Sequence, residues 1–119
     1  MMEKRTLTEA RAEYVSLLEK TLQEIVAKLS AMPEVERISL FGSYASGRAD
    51  IFTDLDILVV METDQPFAER LRALYSLLAA PVDMDLVCYT PREFRELKDF
   101  PFLKRLRHEE VVLYEKKRA

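Results

Sequence analysis

Three sets of residues in this chain have types and spacing suited to chemistry: Gly42-Ser43, the pair Asp54 and Asp56, and the pair Asp83 and Asp85. Asp54 and Asp56 open an apolar run. In a strand, residues two apart project from one face, so these carboxylates stand side by side. Such neighbours repel each other unless a cation lies between them. A strand that serves only the core has no use for that arrangement. Gly42 and Ser43 close the earlier apolar run Ile38-Ser39-Leu40-Phe41, where a glycine turns the chain sharply without a Cβ penalty. A turn that feeds a short helix offers backbone N–H groups and a positive dipole end, and Ser43 adds a hydroxyl; both suit phosphate oxygens. Grouped carboxylates suit Mg²⁺, which shares its shell with substrate phosphates. Two such ions stabilise the attacking and leaving oxygens of an in-line displacement at phosphorus. The residues therefore predict a phosphate-and-metal site for nucleotidyl or phosphoryl transfer from a nucleoside triphosphate.

The elements that must position these groups are legible in order. Thr6 and Glu9 fit a capping box, and Val15, Leu18, Leu22, Ile25, Leu29 and Met32 mark one face of a long helix ended by Pro33. Val35 to Phe41 reads as a first strand. Ser43 to Ser46 reads as a helical turn stopped by Gly47, and Arg48 to Thr53 as a polar loop. Leu55 to Met61 is a nearly continuous apolar strand. A helix then starts around Thr63-Asp64-Gln65-Pro66, with Phe67, Leu71, Leu74 and Leu78 as its stripe and Pro81 as its stop. Val82 to Tyr89 alternates as a third strand, with Asp83, Asp85, Val87 and Tyr89 on one face. Thr90-Pro91-Arg92-Glu93 is a second capping box. Helical segments around Phe94-Leu97 and Phe102-Leu106 and a last strand, Val111 to Tyr114, complete the chain.

The strand–helix–strand unit from Leu55 to Tyr89 implies a parallel pair with a right-handed crossover. Asp54 and Asp56 then lie beside Asp83 or Asp85, and Gly42-Ser43 reaches the same rim if the first strand runs antiparallel to the second. The expected fold is α+β, a small mixed sheet with helices packed on one face. Residues 1–119 are expected to form a single domain, with enough apolar residues, 49%, for a core.

Composition excludes several classes. No 18-residue apolar run is present, so no membrane span is expected, and the start Met1-Met2-Glu3-Lys4-Arg5 is not a secretory signal. The one cysteine, Cys88, cannot form an internal disulfide and fits a reducing cytoplasm. Together with the single, distant His108 it also argues against zinc. The net charge of −3 divides into an acidic body and a weakly basic stretch from residue 92 onward. That stretch lacks the interleaved aromatics of a nucleic-acid surface, so nucleic acid is not an expected partner. Cys88 reads as a buried strand residue and His108 as a surface one. Phe94, Phe100 and Phe102 read as core or interface packing rather than a base-stacking platform.

Gly42-Ser43, ten intervening residues, Asp54-x-Asp56 and a further aspartate on the next strand resemble the DNA polymerase beta-like nucleotidyltransferase superfamily, and the size and element order resemble its minimal members. The resemblance spans residues 14–114. It implies that Gly42 and Ser43 hold the triphosphate and that Asp54 and Asp56 bind both Mg²⁺ ions. It also implies a third carboxylate that binds one ion and helps deprotonate the acceptor hydroxyl. Placed five residues before Thr90-Pro91, that carboxylate is Asp85, with Asp83 as the alternative. Tyr44 departs from the basic residue usual after the Gly-Ser pair, and Arg48 is the candidate to supply that charge. The implied substrate is ATP or another nucleoside triphosphate. The implied partner is a small helical HEPN-type toxin protein, which the enzyme modifies as antitoxin; self-association through an apolar face is a further expectation. The alternatives are a non-catalytic nucleotide-binding subunit and an antibiotic-type enzyme acting on a small molecule, for which the chain lacks the usual additional helical domain.

Overall fold

The computed structural model describes residues 6–48 and 53–117. The part of the expected polar loop formed by residues 49–52 lies outside them, as do residues 1–5 and 118–119. The first helix, α1 (Leu7–Ser30), starts where the Thr6 hydroxyl accepts the N–H of Glu9 at 3.1 Å, the Thr6 side of the expected capping box. It is followed by β1 (Val35–Phe41), α2 (Gly42–Ala45), β2 (Leu55–Met61), α3 (Phe67–Leu78) and β3 (Met84–Tyr89). Helices α4 (Pro91–Glu96) and α5 (Pro101–Glu109) and strand β4 (Val111–Glu115) complete the order. The Thr90–Glu93 capping box forms in full, with both reciprocal hydrogen bonds present. Several boundaries differ from the sequence reading. Helix α1 ends at Ser30, before Met32, and α2 begins at Gly42 itself; Pro66 caps α3 from outside; β3 begins at Met84, because Val82 and Asp83 precede the ladder to β2; and β4 extends one residue further, to Glu115.

The four strands lie in the order β3-β2-β1-β4. Strand β1 pairs antiparallel with β2 and β4, while β2 and β3 are parallel, joined by α3 as the crossover. The sheet is mixed, as expected for this α+β fold.

Strand β2 reads as a nearly continuous apolar run because both of its faces are covered. Leu55, Ile57 and Val59 pack with Ile38 and Leu40 against Leu18, Ile25 and Leu29 of α1 and Leu74 and Leu78 of α3. Leu58 and Val60 point the other way, into Phe94 of α4 and Leu103 and Leu106 of α5. The expected helical layer, α1 with α3, is thus joined by a second and smaller one on the opposite face. Among the described residues no helix is long and apolar enough to cross a membrane.

One buried charge ties these layers together. Arg70 on α3 is only 8% exposed. Its Nη1 donates to Glu93 Oε1 at 2.6 Å and its Nη2 to Glu93 Oε2 at 3.2 Å. Its Nε donates to the Gln65 carbonyl at 2.7 Å and its Nη1 also to the Cys88 carbonyl at 3.3 Å. The hydrogen bond from Arg70 is the main cause holding the Glu93 carboxyl below the ordinary range. Removing one member of a fully buried pair costs about 3–5 kcal/mol. Glu93 keeps contact with water, its side chain being 37% exposed, so Arg70→Ala is expected to lower the unfolding free energy by about 2–3 kcal/mol. Urea unfolding checks this, and a loss below about 0.5 kcal/mol, the scale of an exposed pair, would show that the tie contributes nothing net.

Candidate active site

The C-terminal end of β1 and the N-terminal ends of β2 and β3 meet at one rim of the sheet. There Phe41 is paired with Asp56, and Asp56 with Asp85. Both aspartates lie on the face that carries Leu58 and Val60, the face of α4 and α5.

Gly42 follows Phe41 directly, with φ at +78°. A Cβ on this residue would lie 2.0 Å from Asp56 Oδ2 and 2.9 Å from its Cγ. Glycine is therefore required twice: for the backbone conformation, and for the carboxylate to stand against the turn. Gly47 has the same φ of +78°, yet a Cβ there would meet nothing within 4 Å. It is a turn residue and no more.

Helix α2 is a single turn, and the N–H groups of a helix's first turn have no partners within the helix. The turn is folded back on itself: the Ser43 carbonyl accepts from Ser46 Oγ and from the Arg48 N–H, each at 3.0 Å. Arg48 Nε donates to Ser46 Oγ at 3.0 Å, which holds the arginine beside the turn. Ser43 and Arg48 are both exposed.

Asp54 precedes β2 by one residue and is half-buried. The Asp56 carboxyl is pushed up to about 6, first by burial, then by the charge of Asp85, a hydrogen bond with Asp85 and the charge of Asp54. Asp83 is placed differently: it lies one residue before β3, and its carbonyl accepts the Leu55 N–H at 3.1 Å. The register thus sets Asp85, and not Asp83, beside Asp56.

Two tyrosines reach this rim without any prior sign in the sequence. Tyr14 of α1 donates its hydroxyl to the Thr53 carbonyl at 3.2 Å, next to Asp54. Its phenol is raised above the ordinary value by burial, then by the charges of Asp83 and Asp54. Tyr75 of α3 donates to the Met84 carbonyl and accepts the Leu86 N–H, both at 3.0 Å, clasping the backbone on either side of Asp85. Tyr14 sits just before the apolar stripe of its helix, and Tyr75 next to Leu74, so periodicity alone marks neither.

The donor set fits a hard divalent cation. Its side chains are all carboxylates, Asp56 is raised by burial and then by Asp85 and Asp54, and the missing Cβ of Gly42 lets the Asp56 carboxylate stand against the turn. Among the described residues no three such side chains are already closed around a common point. That is compatible with Mg²⁺, which is usually bound through one or two carboxylates plus phosphates and water. The remaining reactive side chains lie elsewhere: Cys88 is buried with its thiol pushed up to about 11 by burial, and His108 is exposed on α5.

The nucleotidyltransferase domain family matches residues 18–114, and this chain belongs to it. No curated protein sequence matches the chain significantly. Among solved structures, a protein from Sulfolobus solfataricus described as a nucleotidyltransferase is similar over 100% of this chain and 96% of its own, at 19% identity and a TM-score of 0.57. A toxin-antitoxin structure with AMP-PNP is similar over 83% of this chain and 74% of its own, at 23% identity and a TM-score of 0.52. At these identities the likeness is one of fold.

Two expectations follow for the metal-free protein. Gly42→Ala is expected to be more destabilising than Gly47→Ala, which carries only the backbone cost of about 1–2 kcal/mol; equal losses in chemical unfolding would show that the Asp56 contact is not tight. The second concerns pH. Asp56 holds its proton more firmly folded than unfolded, so its contribution to stability is fully present below about pH 4 and is lost as the pH rises through about 6. Asp56→Asn is therefore expected to be more stable than the parent at pH 7.5 and to lose that advantage by pH 4. A parallel pair of stability-against-pH curves would rule out strain at this carboxylate.

Proposed function

We propose that this protein transfers a nucleoside monophosphate, AMP from ATP in the favoured case, to a hydroxyl group, with Mg²⁺ required. The acceptor in this reading is a hydroxyl on a HEPN-type toxin partner, and the protein acts as its antitoxin. The observation that carries the chemistry is the pairing of Asp56 with Asp85 across parallel strands, against a glycine turn that has no room for a Cβ. Membership of the nucleotidyltransferase family supports the reaction class. The fold shared with a toxin-antitoxin structure that holds AMP-PNP supports the choice of substrate and partner.

The roles divide along the rim. The N–H groups of α2 and the Ser43 hydroxyl would hold the β- and γ-phosphates, with the Arg48 charge alongside. Asp54, Asp56 and Asp85 would hold the cations, which neutralise charge on the phosphates and at the attacking and leaving oxygens. The acceptor oxygen attacks the α-phosphorus in line, the bond to the bridging oxygen of the β-phosphate breaks, and pyrophosphate leaves. Asp85, the most exposed of the three, takes the acceptor's proton. An ATP-consuming protein of this kind belongs with the cytoplasmic nucleotide pool, where buried Cys88 stays a thiol.

A second reading, a nucleotide-binding subunit without turnover, is favoured by one observation: among the described residues the carboxylates are not closed into a cage. One experiment separates the two. The protein is incubated with a HEPN-type partner, Mg²⁺ and ATP labelled at the α-phosphate, and label on the partner is followed. Transfer is expected to need Mg²⁺ and to fall by roughly 100- to 1,000-fold in Asp54→Asn/Asp56→Asn. Transfer that survives the double substitution would sink the assignment of the site, and metal-dependent ATP binding without transfer would favour the second reading.

A further inference from the structure

A second feature lies on the same face of the sheet as Asp56. Phe41, Phe102, Arg105, Leu106 and Glu109 line a hollow of about 210 Å³. Its wall begins at Phe41, the residue paired with Asp56 across β1 and β2, and side chains so paired have Cβ atoms about 4.5–5.5 Å apart. Buried Leu106 lies among its lining. Phe102 meets Phe41 edge to face, with ring centroids 6.2 Å apart and planes at 86°. The ring that offers its edge in such a pair keeps both of its faces clear of the other. Phe102 is 44% exposed, a cost that a residue kept only for the core would not carry.

Sites for whole small ligands usually measure about 300–1,000 Å³. This hollow is too small for a nucleotide and large enough for a flat heterocycle. Its polar members stand one turn apart on α5 and are complementary in kind. The guanidinium of Arg105 is a planar donor that also stacks on rings, and the carboxylate of Glu109 accepts from an amine.

We propose that this hollow receives the base of the nucleoside triphosphate, with Phe102 as the stacking surface and Arg105 and Glu109 at the base's edge. The inference rests on the reading of the Asp54–Asp56–Asp85 rim as a triphosphate site. It gives Phe102, first read as packing, a part in binding. It also gives α5 a function: the helix closes the acidic face on one side and leaves an aromatic ring beside the phosphates.

Calorimetric titration with two probes, each in Mg²⁺, tests this in the full chain: a non-hydrolysable ATP analogue and inorganic tripolyphosphate. Phe102→Leu keeps apolar bulk without the aromatic face, and exposed Arg105→Ala is a second variant with little bearing on folding. Both are expected to weaken the ATP analogue, Phe102→Leu by at least fivefold and up to roughly 150-fold, the range of base–aromatic stacking. Both are expected to leave tripolyphosphate unchanged. Analogue binding unaltered in both variants would overturn the inference and leave the Phe41–Phe102 ridge as a protein-contact surface. Equal weakening of both probes would overturn it too, since the effect would then reach the phosphates. Failure of the unaltered protein to bind either probe would instead remove the rim reading itself, and the base site with it.

Discussion

The placing of Asp56, half-buried and beside Asp85 and Asp54, is the constraint to which the rest of this structure answers. Like charges can be held together only by a frame more stable than their repulsion is costly, and the sheet supplies it. Strand β2 alone buries Leu55, Ile57, Leu58, Val59 and Val60, each contributing about 1.5–3 kcal/mol. Against that stands a shift of Asp56 to about 6, caused first by burial and then by Asp85 and Asp54, worth at most about 3 kcal/mol before solvent screening reduces it. The frame wins by a wide margin. In the proposed function a cation at the rim would meet a site whose cost is already carried by the core.

The sequence made the chemistry at the rim legible and its geometry only partly so. Gly42-Ser43, Asp54 and Asp56 stand out because their spacing conflicts with a purely structural strand. The Thr90–Pro91–Glu93 cap is visible because it is local. The choice between Asp83 and Asp85 is different, since both share a face by parity and only the β2–β3 register separates them. Register is a tertiary property, set by side-chain packing on both faces and by the length of the crossover. Arg70 escaped notice for the same reason. On α3 it looks like any surface charge, and its burial depends on the nearby Gln65 carbonyl and on Glu93 and the Cys88 carbonyl, which come from elements further along the chain. Helices α4 and α5 were recognisable as helices, but not as a second layer. The cue was present in β2, which beyond Asp56 is apolar on both faces, as an interior strand covered on both faces requires.

The two faces of the sheet have different tasks. The face of α1 and α3 is a continuous hydrophobic core, and it fixes the crossover and hence the alignment of Asp56 with Asp85. The face of α4 and α5 is only partly filled: Leu58, Val60, Phe94, Leu103 and Leu106 form a compact cluster behind the acidic rim. The proposed site sits where that second cluster stops, because an open boundary between apolar packing and carboxylates can admit a ligand with an apolar end and an anionic end.

Strand β3 lies at the edge of the sheet, held by β2 on one side and by the Tyr75 hydroxyl at Met84 and Leu86. Asp56 lies instead on one interior strand, and Gly42 directly follows the other. In terms of local unfolding, the rim is built from segments of unequal persistence, since elements with fewer neighbours open at lower free energy than the whole molecule. Fraying of β3 would carry Asp85 away while the turn and Asp56 stayed in place. In the proposed function the molecule would then keep the turn assigned to the phosphates and lose the carboxylate assigned to the acceptor's proton, so that it could be disarmed without being unfolded.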